Sequence, residues 1–331
     1  IIDAAAYKLL NEVGYFVDSE ELLKKIEEMG CEVDYEKKLI TAIPEYVVRE
    51  YVKKAPSSFT LAARDPEWDL SFEGAGRKAF FGTDMEAVKK LDWNDEKGAY
   101  DVSLPGEEDV IYGAKITDAV DDFDLCYGAN YGAHIEGAKG LPTDIHETYG
   151  RLVGTVKNAG ITHSLYDVGE WEYIAKLEAE VLGGMEEVRK RPLIESVPST
   201  IGTLQMTRQN CWAVLGSAKY HIPCFPYFAA ASPLTGPATL AGQCALSVAG
   251  VMFHVALQEF LDPGIPVLPN GMTFCTNPVT GALVEAPSFG LGYSAVTQIF
   301  HRMYGLPINV FDNAITKSLD QMAFCVQTYT G

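Results

Sequence analysis

From about residue 106 onward, short apolar runs alternate with longer stretches of helical periodicity. The runs are FDLCYGAN (123–130), ITHSLYDV (161–168), RPLIESVPS (191–199), IPCFPYFAAA (222–231), IPVLPNGMTF (265–274) and LPINVFDNA (306–314). Between them lie helix-like segments such as DVGEWEYIAKLEAEVLGG, TLQMTRQNCWAVLGSAKY and TLAGQCALSVAGVMFHVALQEFL. Strands separated by helices at this spacing predict βαβ units and a parallel sheet. Nearly every run ends in polar or aromatic residues, and none is followed by a phosphate-type glycine loop. This favours an α/β fold of the (β/α)8 TIM-type barrel class, truncated at its C-terminus, in which all strand ends share one mouth. A doubly wound open sheet is the alternative.

The first hundred residues read differently. Residues 1–55 are helical in pattern, with Ser19 placed to cap SEELLKKIEEMG and Gly30 to end it. Ile43-Pro44-Glu45 opens another helix. Residues 58–104 hold short β-type runs, and Asn94-Asp95-Glu96-Lys97-Gly98 forms a turn between two of them, which predicts a small antiparallel element. The expected organisation is therefore an N-terminal helical segment with a small β element over 1–105, and a partial barrel over 106–331. The chain begins at Ile1 and stops at Gly331 within patterned sequence, so it is expected to be a segment of a longer protein.

Composition narrows the partners. The 331 residues are 47% hydrophobic and carry a net charge of −19. Nucleic acid and anionic membranes need a basic footprint, so neither is expected. Seven scattered cysteines, odd in number and without C-x-x-C spacing, speak against a disulfide framework or a zinc knuckle and suit reduced thiols in the cytoplasm. No apolar run reaches about 18 residues, so no membrane span is expected.

Several motifs fail. His146-Glu147 begins like a zinc-protease helix, but Gly150 stands where the second histidine belongs. Gly290-Leu291-Gly292-Tyr293-Ser294-Ala295 matches a dinucleotide fingerprint without a preceding strand, so close helix packing explains it better.

The strand ends carry Tyr127, Asn130, Tyr131, His163, Tyr166, Glu195, Tyr227, Phe228, Asn270, Phe274, Phe311 and Asn313. Such a mouth is aromatic and nearly uncharged. It lacks the cationic cluster a phosphate needs and the paired carboxylates of a glycosidase. Ring faces bind quaternary ammonium groups, whose charge they attract and whose desolvation is cheap. The same aromatics could instead be core, since aromatic side chains dominate core burial. His163 could be a satisfied core histidine, and Glu195 could pair with Arg191.

Uncharged FAAASPLTGPATLAG (228–242) runs from a strand through a loop into a helix. Its small residues let backbone approach a ligand, and its helix N-terminus offers N–H groups, so Ser232, Thr235 and Gly236 are expected at the mouth. A tight βα turn stiffened by proline is the other reading.

AAASPLTGPATLAG, LDPGIPVLPNG, FGLGYSAVTQIFHRMYGLP and Lys317 followed by Asp320-Gln321 together resemble the trimethylamine methyltransferase family. IPEYVVREYVKKAPSSFTLAARDP and LPTDIHETYGRLVGT extend the resemblance over essentially the whole chain. It implies a barrel that moves a methyl group from an amine to the cobalt of a corrinoid carried by a partner protein, with no corrinoid held tightly by this chain. No Asp-x-His-x-x-Gly cobalamin signature is present. It also implies a homo-oligomer. Asn313 falls at the position where archaeal members carry pyrrolysine, which implies a catalytic position and places the chain among relatives acting on quaternary amines such as glycine betaine. Tyr127, Tyr131, Tyr166, Tyr227, Phe228, Phe274 and Phe311 are then cage candidates. His163, Asn270 and Asn313 are candidates for holding a substrate carboxylate.

Overall fold

The computed structural model describes residues 1–74, 76, 78–83, 89–127, 143–162, 169–284 and 287–310. The chain opens on α1 (Ile2–Glu12), which buries Asp3, Ala6, Tyr7 and Leu10 at helical spacing. Strand β1 (Tyr15–Val17) leads to α2 (Glu20–Glu28), where the Ser19 hydroxyl accepts the Leu22 N–H at 3.2 Å. Gly30, at φ +106°, makes the left-handed turn just past its end. The antiparallel pair β2 (Glu32–Asp34) and β3 (Leu39–Ala42) precedes α3 (Glu45–Val52), entered through Pro44.

Two antiparallel hairpins follow where β-type runs were expected: β4 (Ser58–Leu61) with β5 (Leu70–Glu73), and β6 (Lys90–Asn94) with β7 (Ala99–Ser103). Helices α4 (Glu107–Ala119) and α5 (Thr143–Gly154) come next, then β8 (Ile161–Thr162), α6 (Glu170–Leu182) and α7 (Met185–Lys190). Strands β9 (Glu195–Ser196), β10 (Ser199–Ile201) and β11 (Gln205–Met206) lead into α8 (Arg208–Tyr220). Strands β12 (Tyr227–Ala229) and β13 (Ala231–Ser232) lead into α9 (Leu240–Leu261). The described chain ends with β14 (Asn270–Gly271), β15 (Phe274–Thr276), β16 (Leu283–Val284) and α10 (Pro287–Gln298), which runs into a π-helical turn over Ile299–Met303.

The fold is thus mixed α/β. Five of the six apolar runs supply a strand or a bridge. In the sixth, residues 306–310 form no strand, and the rest lies outside the described residues.

The chain divides into two compact units. One comprises Ile1–Ser57, Pro198–Cys211 and the described residues from Phe225 on; the other comprises Ser58–Val197 and Trp212–Cys224. The division expected at residue 105 falls inside the second unit. In the first unit, one sheet runs β14-β12-β10-β11-β1-β3-β2, with β14, β12 and β10 parallel to one another. In the second, Gly82, Leu125 and Asn158 form successive parallel bridges, β8 pairs with β9 in parallel, and Ser196 bridges to Cys224. The parallel series β10, β12 and β14 and the bridged segments of the second unit follow chain order, as βαβ winding requires, whereas β1 pairs in parallel with the distant β11.

Helix α9 is the centre of the first unit. By length and composition alone it could cross a membrane, but it is 83% buried and packs on α1, α3 and α10, as a core helix does. The expectation that no such run exists overlooked it because Gln243, Ser247 and His254 interrupt the apolar positions. These three, with Gly250, share one helical face. That face lies on the sheet. A Cβ at Gly250 would meet Phe228 Cδ2 at 2.7 Å, and one at Gly271 would meet Ser247 Oγ at 2.6 Å. The His254 and Tyr15 rings are 6.3 Å apart.

Candidate functional site

In the second unit, polar side chains gather where the parallel segments end. Gly160 (φ +71°) brings two segments into close register: a Cβ there would lie 2.1 Å from the Cys126 carbonyl oxygen. The next residues along these segments are Tyr127 and Ile161, and Glu195 pairs with Ile161 and donates its N–H to the Gly160 carbonyl at 2.9 Å.

Glu195 is wholly buried. Burial pushes its carboxyl up to about 7; Asn158, the Arg151 charge and Tyr127 pull the other way. Asn158 and Tyr127 approach the carboxylate, but among the described residues neither oxygen has a hydrogen-bond partner. Arg151, on α5, is also fully buried. Its Nη2 donates to Thr162 Oγ1 at 3.3 Å and to Thr148 Oγ1 at 3.5 Å. Burial lowers its pKa, while the charges of Glu147, Asp144 and Glu195 hold it cationic. Behind β9, Glu178 accepts the Leu193 N–H at 2.6 Å, and burial pushes it up to about 8. Two buried carboxyls therefore titrate near neutral pH, the range in which a carboxylate can serve either as acid or as counter-charge.

Glu195 does not pair with Arg191. Four residues of extended strand separate the two too widely. Arg191 instead grips Asp69 through both terminal nitrogens, at 2.7 and 2.9 Å.

In the first unit, the register sorts the expected residues onto two faces. Ser199, Tyr227 and Asn270 form one cross-strand row, and Thr200, Phe228 and Gly271 form the next. Successive strand residues point to opposite faces. Phe228, fully buried, faces α9, so it belongs to the sheet–helix layer. Half-buried Tyr227 and buried Asn270 share the other face. Asn270 Nδ2 donates to Asn309 Oδ1 at 3.4 Å, and its Oδ1 has no partner among the described residues. Phe274 is half-buried and pairs with Ala231 across β13 and β15.

The Ser232–Gly236 loop is closed by its own groups. Thr235 Oγ1 accepts the Ala231 N–H at 2.9 Å, and Thr276 Oγ1 donates to the Ser232 carbonyl at 2.9 Å. A Cβ at Gly236 would lie 2.3 Å from Gln243 Oε1, an acceptor with no partner among the described residues. Thr239 caps α9 by accepting the Gly242 N–H at 3.2 Å, so that helix end is partly satisfied by the chain itself.

Asn130, Tyr131, His163, Tyr166, Phe311 and Asn313 lie outside the described residues. The sequence reading did not single out Arg151, Glu178 or Asn158. Only their burial identifies them, and a charged residue on a helix gives no sign in sequence of facing inward. His146, part of the failed zinc motif, hydrogen-bonds Glu107. Among the described residues no group of three metal-ligating side chains converges. Gly292 is tightly packed, with Leu240 Cδ1 2.5 Å from an added Cβ, whereas Gly290 has open space. The packing explanation therefore holds at one of the two glycines.

Residues 1–97 match the family model described as trimethylamine methyltransferase (MTTB). The trimethylamine methyltransferase MttB of Methanosarcina thermophila is 30% identical over 311 residues, covering 92% of this chain and 62% of that protein. The glycine betaine methyltransferase of Desulfitobacterium hafniense is 25% identical over 321 residues, covering 91% of this chain and 63% of that protein. The chain thus spans somewhat under two thirds of the length of these relatives. The crystal structure of the Methanosarcina barkeri monomethylamine methyltransferase MtmB aligns at a TM-score of 0.42 and 8% identity over 82% of this chain and 59% of that one, too slight a likeness to bear on the fold. The chain is thus similar at its N-terminus to the trimethylamine methyltransferase family model, and along nine tenths of its length to trimethylamine and glycine betaine methyltransferases.

Proposed function

We propose that this protein transfers a methyl group from a quaternary amine of the glycine betaine type to a corrinoid carried by a partner protein, on a (β/α)8 barrel scaffold. The observation that carries the reading is the buried Glu195 beside Tyr127, at a strand end of a chain related to amine methyltransferases. A carboxylate titrating at about 7 supplies a counter-charge to a desolvated methylammonium, and a tyrosine ring supplies a polarisable face.

A quaternary nitrogen leaves as a neutral tertiary amine, so methyl transfer needs no proton at that atom. The chain's task is orientation and exclusion of water. In this reading Glu195 fixes the cation, Arg151 and Asn158 hold Glu195 in place, and Tyr127 packs on the methyl groups. His163, Asn270 and Asn313 remain the candidates, read from the sequence alone, for holding the substrate's carboxylate. The corrinoid, when its carrier docks, supplies the cobalt nucleophile that takes the methyl group. The small, uncharged Ser232–Gly236 loop, with Gln243 Oε1 behind it lacking a partner among the described residues, suits the amide edge of such a macrocycle.

A second reading, trimethylamine as substrate, is favoured by the higher identity to the trimethylamine enzymes. One anoxic assay tests both. The protein is mixed with cob(I)alamin, and methylcobalamin is followed by absorbance with glycine betaine, proline betaine, carnitine, choline and trimethylamine. Conversion by a quaternary amine alone supports the first reading. Conversion by trimethylamine alone supports the second, and conversion by none removes both.

A further inference from the structure

The β6–β7 hairpin has two unlike faces. Leu91 and Val102 are cross-strand neighbours, as are Trp93 and Tyr100, and all four lie on one side. They are 53, 63, 55 and 50% exposed. The Trp93 and Tyr100 rings meet edge to face at 5.0 Å. Trp93 Nε1 donates to Asp95 Oδ1 at 2.9 Å, which satisfies the indole and leaves its ring to present carbon outward.

The other side is polar and satisfied within itself. Lys97 donates to Asp101 at 2.8 Å, as does Asn94, and Ser103 donates to Asp92. Lys90 donates to Asp109 in the first turn of α4 at 2.9 Å, tying the hairpin to its own unit. Both strands are edge strands among the described residues, where no third strand joins the pair. An isolated two-stranded hairpin is marginal in water, and edges left open invite pairing.

We propose that this face is where two copies of the chain meet. Three observations select a second copy. First, the face can be self-complementary: a two-fold axis lying in the plane of the interface stacks the same four side chains on each other as two facing sheets. Second, the charge is segregated. Asp92 and Asp101 point to the opposite side, so stacking does not press like charges together, although the chain carries −19 overall. Third, the area comes near to what a dimer needs. The four side chains expose roughly 450 Å² per copy, so two copies bury about 900 Å², close to the ~1,000 Å² of a specific interface before Leu104 and the backbone are added.

Sedimentation velocity on the 331-residue chain, from about 1 to 100 μM, tests this. The expected result is a reversible dimer, or a larger assembly built from dimers, whose dissociation constant rises at least 100-fold in Trp93→Lys/Val102→Lys. The polar-face variant Asp92→Asn should associate as the native chain does. Circular dichroism melts check that the double variant folds. If it does not, Val102→Cys replaces it and should give a reducible cross-linked dimer. Association indifferent to these changes overturns the proposal. So does a monomer throughout: hydrogen exchange over residues 90–103 would then assign the face to the chain's own covering segment if protected, or to a different protein if not.

Discussion

Around Arg151, the second unit buries a guanidinium with the carboxyls of Asp144, Glu147 and Glu195. Along α9, the first unit buries Gln243, Ser247 and His254, all uncharged at neutral pH. Both regions lie among parallel strands with helices against them, so the architecture is shared and the electrostatics differ. The difference teaches where each region is sensitive. A buried ion cluster is held by mutual compensation, and losing one member strands the others. A buried neutral group costs at most its own unmade hydrogen bond.

The sharpest way to break the comparison is to remove the cation on one side and an amide on the other. Arg151→Met leaves Glu147 and Glu195 without their counter-charge and should destabilise the protein by about 3–5 kcal/mol. Gln243→Leu removes a buried amide whose Oε1 has no partner among the described residues but whose Nε2 donates to the Ala230 carbonyl. It should cost no more than about 1–2 kcal/mol. Urea denaturation of both variants decides. Equal losses would mean that charge burial is not what separates the two regions.

A steric probe comes next. Gly216 of α8 lies against Trp171, and an added Cβ would sit 2.0 Å from its Cδ1. Gly216→Ala should cost about 1–3 kcal/mol by overpacking. In the first unit, Gly250→Ala meets Phe228 at 2.7 Å and should cost toward the lower end of that range. Thermal melts rank the two. A larger loss at Gly250 would place the tighter packing in the first unit.

Much of the local structure was legible in the sequence because it is decided locally. Ser19, Pro44 and Thr239 begin helices where their side chains or ring permit it, and the turn after Asn94 joins two strands as its residues suggest. What was not legible depends on partners far along the chain. The pairing of β1 with β11 puts residues 16 and 205 side by side, and nothing near either residue announces it. Tyr227 and Phe228 are adjacent aromatics at a strand end, and only the register shows that they face opposite ways. Arg191 finds Asp69, 122 positions away, in place of Glu195 on its own run. Of the expected mouth residues, Tyr127, Glu195, Tyr227, Phe228, Asn270 and Phe274 can be placed, while Asn130, Tyr131, His163, Tyr166, Phe311 and Asn313 lie outside the described residues.

Glu195→Gln sharpens the comparison through pH. The folded carboxyl titrates at about 7, above the ordinary carboxylate value, so the folded protein holds a proton that the unfolded chain releases. Stability from this group is therefore full below the ordinary carboxylate range and is lost as pH rises to about 7. Glu178 extends the same loss to about 8. Glu195→Gln should flatten the first part of this decline in urea titrations between pH 5 and 7. Calorimetric binding of glycine betaine should weaken on the order of tenfold, or ~1.4 kcal/mol. Unchanged binding would remove Glu195 as the counter-charge.

The smallest effect is expected at His254, and it runs in the opposite direction. The ring is wholly buried with neither nitrogen partnered among the described residues, and burial pushes its pKa down to about 3. The unfolded chain takes up a proton there as pH falls below the ordinary histidine value, while the folded chain stays neutral. Stability from this group is thus present above pH ~6.5 and is lost toward about 3, at roughly 1.4 kcal/mol per pH unit. His254→Leu keeps an apolar side chain of similar bulk beside Tyr15 and should change stability by less than about 1 kcal/mol at pH 8. At pH 5 the variant should gain on the native protein, because it lacks the acid-side loss, whereas Glu195→Gln should gain on it at pH 7 and above. Urea midpoints for both variants at pH 5 and pH 8 settle the matter. If His254→Leu costs more than about 2 kcal/mol at pH 8, the histidine is holding something in place, and the first unit is less forgiving of polar loss than its uncharged interior implies.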